Sequence, residues 1–295
     1  YQGEAKVSDA PVVITTWQSI YKLPKKYFDS YTAVIGDECH TFKAKSLTSI
    51  MTKLHEAKYR IGFTGTLDGT KTHRLVLEGL FGLSDRVTST ADLMKRDQLT
   101  QLKIKILALK HESCKFANYQ DEMEYIVTHG KRNTFIKNLV SDLKGNTLVL
   151  FNYVEKHGEP LFDLINKSIG DTKKVFFVHG GVEASEREEI RRLAEVNDNC
   201  VIIASYGTFS TGINIKNLHN IIFASPSKSR IRNLQSIGRV LRKGDNKAQA
   251  VLYDIADDFS RGSYINYTLN HLKERIKVYN EEQFNYEIIP VNIKK

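Results

Sequence analysis

The stretch Val34-Ile35-Gly36-Asp37-Glu38-Cys39-His40 decides how this chain is read. Thr32 to Gly36 is a short apolar run of the kind that forms a buried strand, and it ends in two adjacent acids, a small residue and a histidine. In an open α/β sheet, ligands bind just past the carboxyl ends of the strands. Acids placed there can meet a cation and the phosphates it accompanies. Asp37 would hold Mg²⁺ directly or through water, Glu38 would orient or deprotonate an attacking water, and His40 would report the state of the site to its neighbours. Taken alone, the same residues also fit a solvated turn, so the reading depends on what surrounds them.

Upstream, Pro11-Val12-Val13-Ile14-Thr15 reads as a buried strand with proline at its first position, where a missing donor is tolerated. The polar cluster Thr15, Thr16, Trp17, Gln18, Ser19 fits contact with a phosphate backbone, or equally a helix cap. Downstream, a short helix is expected over Ser46–Leu54 and a third strand over Tyr59–Phe63, ending in Thr64-Gly65-Thr66. Those hydroxyls could bond His40 or Asp37 and link the site to a moving partner; a simple turn would use the same residues. Helices are expected over Thr72–Leu80, ended by Gly82, and over Ala91–Asp97 with Thr90 as N-cap. Alternation through Leu102, Ile104, Ile106 and Ala108 marks another strand. A charged stretch dotted with aromatics follows from Lys110 to Tyr125. The pattern changes near residue 98, which divides the chain into domains 1–98 and 99–295.

The second part alternates strands (Thr147–Phe151, Lys174–Val178, Cys200–Ala204, Asn220–Ala224, Ala250–Ile255) with helices (Glu155–Asn166, Ala184–Glu195, Ile231–Leu241). That rhythm predicts a parallel sheet covered on both faces. His179-Gly180-Gly181 fits a tight loop near a ligand or, preferably, a strand-edge turn. Ser205 to Asn214 reads as one loop at the ligand edge, where Gly212 allows close backbone approach and Ser205 and Thr208 can reach phosphate or ribose; a capped turn into a strand would use the same residues. On a helix, Gln235, Gly238, Arg239 and Arg242 fall at i, i+3, i+4 and i+7 and share a face, a phosphate clamp reaching outward. Glycine inside a helix costs about 1 kcal/mol against alanine, so close packing at Gly238 is expected. A solvated basic face would explain the charges but not the glycine or the glutamine. Ser263–Glu281 carries Ile265, Leu269, Leu272, Ile276 and Tyr279 at helical spacing and is expected to pack on the core.

Composition agrees with an ordinary globular chain: 295 residues, 41% hydrophobic and 26% charged, long enough for roughly two domains. The formal charge of +9 favours a polyanion as partner, nucleic acid first, although a generally basic surface would give the same balance. Three scattered cysteines in no metal-ligand spacing argue against a disulfide framework and fit a reducing, cytoplasmic setting. No apolar run approaches membrane-spanning length.

In this order and spacing, the motifs resemble the motor core of the superfamily-two helicases over nearly the whole chain. Asp37-Glu38-Cys39-His40 resembles the DExH form of the Walker B motif, and Thr64-Gly65-Thr66 the coupling motif, with Gly65 in place of the usual alanine. Ser205–Asn214 is similar to the fifth motif and Gln235–Arg242 to the sixth. The resemblance implies an α/β fold of two RecA-like parallel-sheet domains, the first incomplete at its N-terminus. It implies ATP and Mg²⁺ as cofactors, with Asp37 and Glu38 at the metal and Glu38 activating water. Arg239 and Arg242 would contact ATP phosphates across an interdomain cleft that also takes Gln235, Gly212 and Asn214. Asn214 stands where many relatives have an aspartate. Thr64, Gly65 and Thr66 would couple hydrolysis to motion, and Thr15, Thr16, Ser205 and Thr208 would face nucleic acid. Within the superfamily, the likeness is greatest to a phage branch devoted to recombination and repair. That implies branched or single-stranded DNA and RNA–DNA hybrids such as R-loops as partners, a monomer, and the host cytoplasm. One motif is missing: no Gly-x-x-x-x-Gly-Lys-Ser/Thr phosphate loop occurs in the 295 residues. In this family it precedes the Walker B strand by a long stretch, so the chain is expected to be the C-terminal part of a longer helicase. A non-hydrolysing nucleic-acid-binding module and an RNA-directed helicase are the rival readings.

Overall fold

The computed structural model describes residues 10–67, 70–212, 215–244, 247 and 249–293. It divides into two compact units, 1–87 and 88–295. The division falls ahead of the expected residue 98 because the helix that follows belongs with the second unit. Ser89, not Thr90, caps it by accepting from Asp92 N–H at 3.0 Å, and Met94 packs into the second unit's core.

In the first unit, α1 (Trp17–Ile20), β1 (Ala33–Gly36), α2 (Lys45–Lys53), β2 (Tyr59–Gly62) and α3 (Lys71–Phe81) follow in order. β1 and β2 pair in parallel with Gly36 opposite Gly62. Both glycines are needed for packing. A Cβ at Gly36 would stand 2.9 Å from the Phe42 ring, and one at Gly62 would stand 3.0 Å from both the Phe81 ring and the Cys39 side chain. These contacts seat the strand ends on a core of Phe28, Phe42, Leu47, Ile50, Met51 and Leu77. The other face of this small sheet is open, with Ile35 67% and Ile61 45% exposed. The strand expected over Pro11–Thr15 does not form. That segment pairs with no strand among the described residues, and Val12 and Ile14 lie exposed. An apolar run becomes a strand only where a neighbour can take its backbone donors and acceptors.

The second unit contains α4 (Thr90–Lys95), β3 (Gln101–Lys110), α5 (Tyr119–Thr128), α6 (Gly130–Asp142), β4 (Thr147–Phe151), α7 (Glu159–Ile169), β5 (Val175–Val178), α8 (Ala184–Val196), β6 (Val201–Ser205), α9 (Tyr206–Gly212), β7 (Asn220–Phe223), α10 (Arg230–Val240), β8 (Gln249–Asp258), α11 (Tyr267–Glu281) and β9 (Tyr286–Asn292). Seven strands form one all-parallel sheet in the order β5-β6-β4-β7-β8-β3-β9. Alternate residues feed two cores. Leu148, Leu150, Ile202 and Ala204 face one side, and Val149, Phe151, Val201 and Ile203 the other. Strands buried on both faces must be apolar throughout, which is how β4 and β6 read in sequence.

Several elements differ from expectation. The stretch after Lys110 yields α5, capped by Asn118, and α6, capped by His129. The helix expected from Glu155 begins as a single π turn, Val154–Gly158, before α7. Ser205–Asn214 is not a loop through its described part but the helix α9. α11 starts at Tyr267 rather than Ser263, because Arg261 and Tyr264 bridge each other in a turn that leaves Ile265 exposed. β9 was not foreseen.

Candidate active site

In the first unit, the two acids stand exposed at the carboxyl end of β1, where the strand passes directly into a 3₁₀ turn, Cys39–Lys43. Making that turn places Glu38 in the left-handed region at φ 47°. A non-glycine residue there carries strain of about 1 kcal/mol or more, which persists only where the surroundings impose it. Here they do. Cys39 N–H donates to Phe63 O at 2.9 Å, and the Thr41 N–H and hydroxyl both donate to Glu38 O at 2.9 Å. Glu38 N–H donates to Asp37 Oδ1 at 2.9 Å.

His40 is buried beneath the acids. Its Nδ1 lies 2.9 Å from Thr64 Oγ1 and 3.2 Å from Glu38 Oε2. Thr64 Oγ1 donates to Thr66 O at 2.9 Å, so its lone pairs are what face the imidazole. The consistent assignment puts the proton on His40 Nδ1, shared between the hydroxyl and the carboxylate. Burial pulls the His40 pKa below its ordinary value against the opposing pull of Glu38, with His73 and Lys43 adding to the fall. The imidazole is therefore neutral at pH 7. His73 Nε2, on α3, donates to His40 O at 2.7 Å and fixes the turn from behind. The sequence expectation that a hydroxyl of this segment meets His40 holds for Thr64; Thr66 joins through its backbone, and its hydroxyl does not. Its Oγ1 is buried with no partner among the described residues, and Gly65 faces open space. Thr15 and Thr16 are exposed, and Thr16 precedes α1 without capping it through its side chain.

No group of three metal-ligating side chains occurs among the described residues. Asp37 and Glu38 nevertheless suit Mg²⁺, a hard ion that is satisfied by one or two carboxylates when phosphates and water complete its shell.

In the second unit, the candidate residues gather at the carboxyl edge of the sheet. Ser205 Oγ accepts from Thr208 N–H at 3.3 Å and donates to Thr208 Oγ1 at 2.9 Å, an N-cap on α9. Thr208 is thus buried rather than outward-facing. Gly212 ends α9, and Asn214 lies outside the described residues. Gln235 and Arg239 share a face of α10 and are half-buried. Arg242 does not share it. The helix stops at Val240, and Arg242 sits exposed in the turn beyond. Close packing does not explain Gly238, since an added Cβ would meet nothing within 4 Å.

The structure adds contacts that the sequence did not indicate. The Arg239 guanidinium lies 5.5 Å from the Phe209 ring centre, and that of Arg232 lies 5.8 Å from the Tyr206 ring centre. Arg232 Nη1 also donates to Asn152 Oδ1 at 3.3 Å, so α9, α10 and the turn after β4 are tied through arginines. Phe209 and Tyr206 stand three apart with the spacing of an apolar helix face, a signal masked by the hydroxyls and glycines around them.

The family model for the helicase conserved C-terminal domain matches residues 130–244, and that for the type III restriction enzyme res subunit matches residues 1–69. The chain is 36% identical to the ATP-dependent DNA helicase UvsW of Enterobacteria phage T4, over 97% of its own length and 60% of that protein's. The crystal structure of T4 UvsW matches with a TM-score of 0.56 and 35% identity, covering 97% of this chain and 59% of that one. The type ISP restriction-modification enzyme LlaBIII bound to DNA matches at TM-score 0.65 and 16% identity, over 94% of this chain and 23% of that one. Saccharomyces cerevisiae Dbp5 bound to RNA and ADP BeF3 matches at 0.52 and 12%, over 89% and 60%. The last two likenesses bear on fold alone. No helix among the described residues is long and apolar enough to cross a membrane. Residues 130–244 thus match the helicase conserved C-terminal domain, and the chain, RecA-like in fold, is similar along nearly its whole length to an ATP-dependent DNA helicase of phage T4.

Proposed function

We propose that this chain is part of an ATP-dependent DNA helicase or translocase that remodels branched DNA and R-loops. The observation that carries the reading is the convergence of Glu38, His40 and Thr64 at the end of β1. An exposed carboxylate suited to activating water is bonded through a buried neutral imidazole to the segment after β2. A change at the carboxylate is then felt by Thr64–Thr66, which is what coupling of hydrolysis to motion requires. Asp37 and Glu38 would hold Mg²⁺, which supplies neutralisation of charge on the phosphates. Gln235, Arg239 and Arg242 of the second unit offer polar and cationic groups of the kind that contact nucleotide phosphates, and an arginine at a transferring phosphoryl group is worth roughly 10³–10⁵ in rate.

The phosphate loop absent from the sequence is supplied, on this reading, by a segment outside these 295 residues. The open face of β1 and β2, with Ile35 and Ile61 exposed, is a surface such a segment would cover. These 295 residues alone would then bind ATP weakly and hydrolyse it slowly. The +9 charge suits the phosphate backbone of the substrate. Strand displacement by the full-length protein tests the substrate assignment. ATP-driven unwinding of a synthetic four-way junction and an R-loop, each faster than unwinding of a linear duplex RNA, is expected. Preference for duplex RNA would overturn it in favour of an RNA-directed motor.

A further inference from the structure

Arg242 lies past the end of its helix, where a side chain gains no orientation from helical geometry. Its backbone is nevertheless held on several sides. Lys247 is 7% exposed although its side chain ends in an ammonium group. Its Nζ donates to Arg242 O at 3.0 Å, to Lys216 O at 3.4 Å, and to Val240 O in a short hydrogen bond. A buried ammonium set on the last carbonyls of a helix both satisfies them and complements the negative end of the helix dipole. Burial pushes this amine down to about 8, which leaves it protonated at pH 7.

The second support comes from the lead-in to β3. Thr100, 3% exposed, donates through Oγ1 to Arg242 O at 3.3 Å and through its N–H to Leu241 O at 2.8 Å. Lys243 pairs with Asp97 Oδ2 at 2.5 Å just before that strand. The carbonyl of Arg242 thus accepts from two buried side chains that approach from opposite sequence directions. The Arg242 side chain itself stays exposed. A terminal turn needs one cap to be satisfied; two buried donors converging on one carbonyl do more, because they set where the next side chain leaves the surface.

We propose that Lys247 and Thr100 are positioning residues for Arg242, a clamp that fixes its backbone so that its guanidinium is presented ready-placed to a substrate phosphate. The inference rests on the reading of Arg242 as a phosphate-contacting residue. Preorganised charge acts mainly on the transition state, so loosening it lowers kcat more than it raises KM.

The test is a double-mutant cycle on DNA-stimulated ATP hydrolysis by the full-length protein, using Lys247→Met, Thr100→Val and Arg242→Ala, with thermal melts alongside. Lys247→Met is expected to lower kcat about ten- to hundredfold with KM for ATP changed less than threefold. Thr100→Val, which keeps the ammonium, is expected to do the same more weakly. Combined with Arg242→Ala, neither should slow the enzyme further, because the residue they act through is gone. Full kcat in both clamp variants beside a slow Arg242→Ala would overturn the clamp alone. So would losses that multiply with that of Arg242→Ala, since they would mark a general structural role. Full turnover by Arg242→Ala would instead overturn the reading of Arg242, and the clamp with it. If Lys247→Met melts below the assay temperature, Thr100→Val decides the question by the same criteria.

Discussion

At the scale of single residues, the chain spends stability where chemistry is expected. Glu38 is held in a left-handed conformation by hydrogen bonds to its neighbours, and His40 is buried against a carboxylate. The same burial has a measurable signature elsewhere. His157, in the π turn, bonds Ser225 Oγ through Nδ1 at 3.0 Å, and its Nε2 meets no polar partner among the described residues. Burial, helped by the Arg132 charge, pushes this imidazole down to about 3. Burial by itself would raise the Asp257 carboxyl, but Arg132 and His111 bring it down to about 2. Both folded values lie below those of the unfolded chain, so the unfolded chain binds more protons as the solution is acidified. Stability is full above about pH 6.5 and falls as pH drops toward 3, at up to about 1.4 kcal/mol per unit for each proton. His40, His129, His219 and His271 are pulled the same way by burial. Urea midpoints at pH 7 and pH 4.5 should differ clearly. His157→Gln, which can still bond Ser225, should narrow that difference; an unchanged difference would mean His157 is not neutral in the folded protein.

At the scale of elements, what could be read from sequence was whatever repeats with a short period or ends a strand in chemistry. β4 and β6 were legible because burial on both faces demands unbroken apolar runs, and the acids were legible because they end an apolar strand, although one face of that strand is open. α10 was legible by period, but its end was not. Val240, Leu241 and Arg242 continue the pattern, yet the helix ends at Val240, and the carbonyls of these three residues accept from Lys247 and Thr100. Pro11–Thr15 failed for the opposite reason, an apolar run with no partner strand among the described residues. β9 and the start of α11 were hidden because a strand's edge position and a helix's docking depend on distant residues. Glu122 illustrates this: buried on α5, it accepts from Tyr267 N–H at 2.8 Å and from Thr268 N–H at 2.7 Å to cap α11. Farther along that helix, Arg275 Nε donates to Asp254 Oδ2 at 2.8 Å and Tyr279 donates to the same oxygen at 2.8 Å, all fully buried. Arg275→Met removes one partner and leaves the carboxylate in the core. It should cost about 3–5 kcal/mol in a urea melt. The pair Arg275→Met with Asp254→Asn should recover part of that loss. A cost under 1 kcal/mol for Arg275→Met would show that the ion pair does not anchor α11.

At the scale of the whole molecule, the two units carry complementary chemistry. The first holds carboxylates and a buried imidazole relay, and the second holds arginines presented from the edge of a seven-stranded sheet. A chain that only held nucleic acid would have use for the basic charge but not for a strained glutamate bonded to His40. Glu38 acting on water is therefore the central step. The most direct test is steady-state ATP hydrolysis by the full-length protein, with and without DNA, for wild type and Glu38→Gln. Glu38→Gln keeps size and polarity but cannot accept a proton, and positioned bases contribute roughly 10²–10⁴ in rate. DNA-stimulated turnover is expected in the wild type, with a loss of at least about 10² in Glu38→Gln and ATP binding retained. Turnover by Glu38→Gln at the wild-type rate, or a full-length wild type that binds DNA but hydrolyses no ATP, would contradict it.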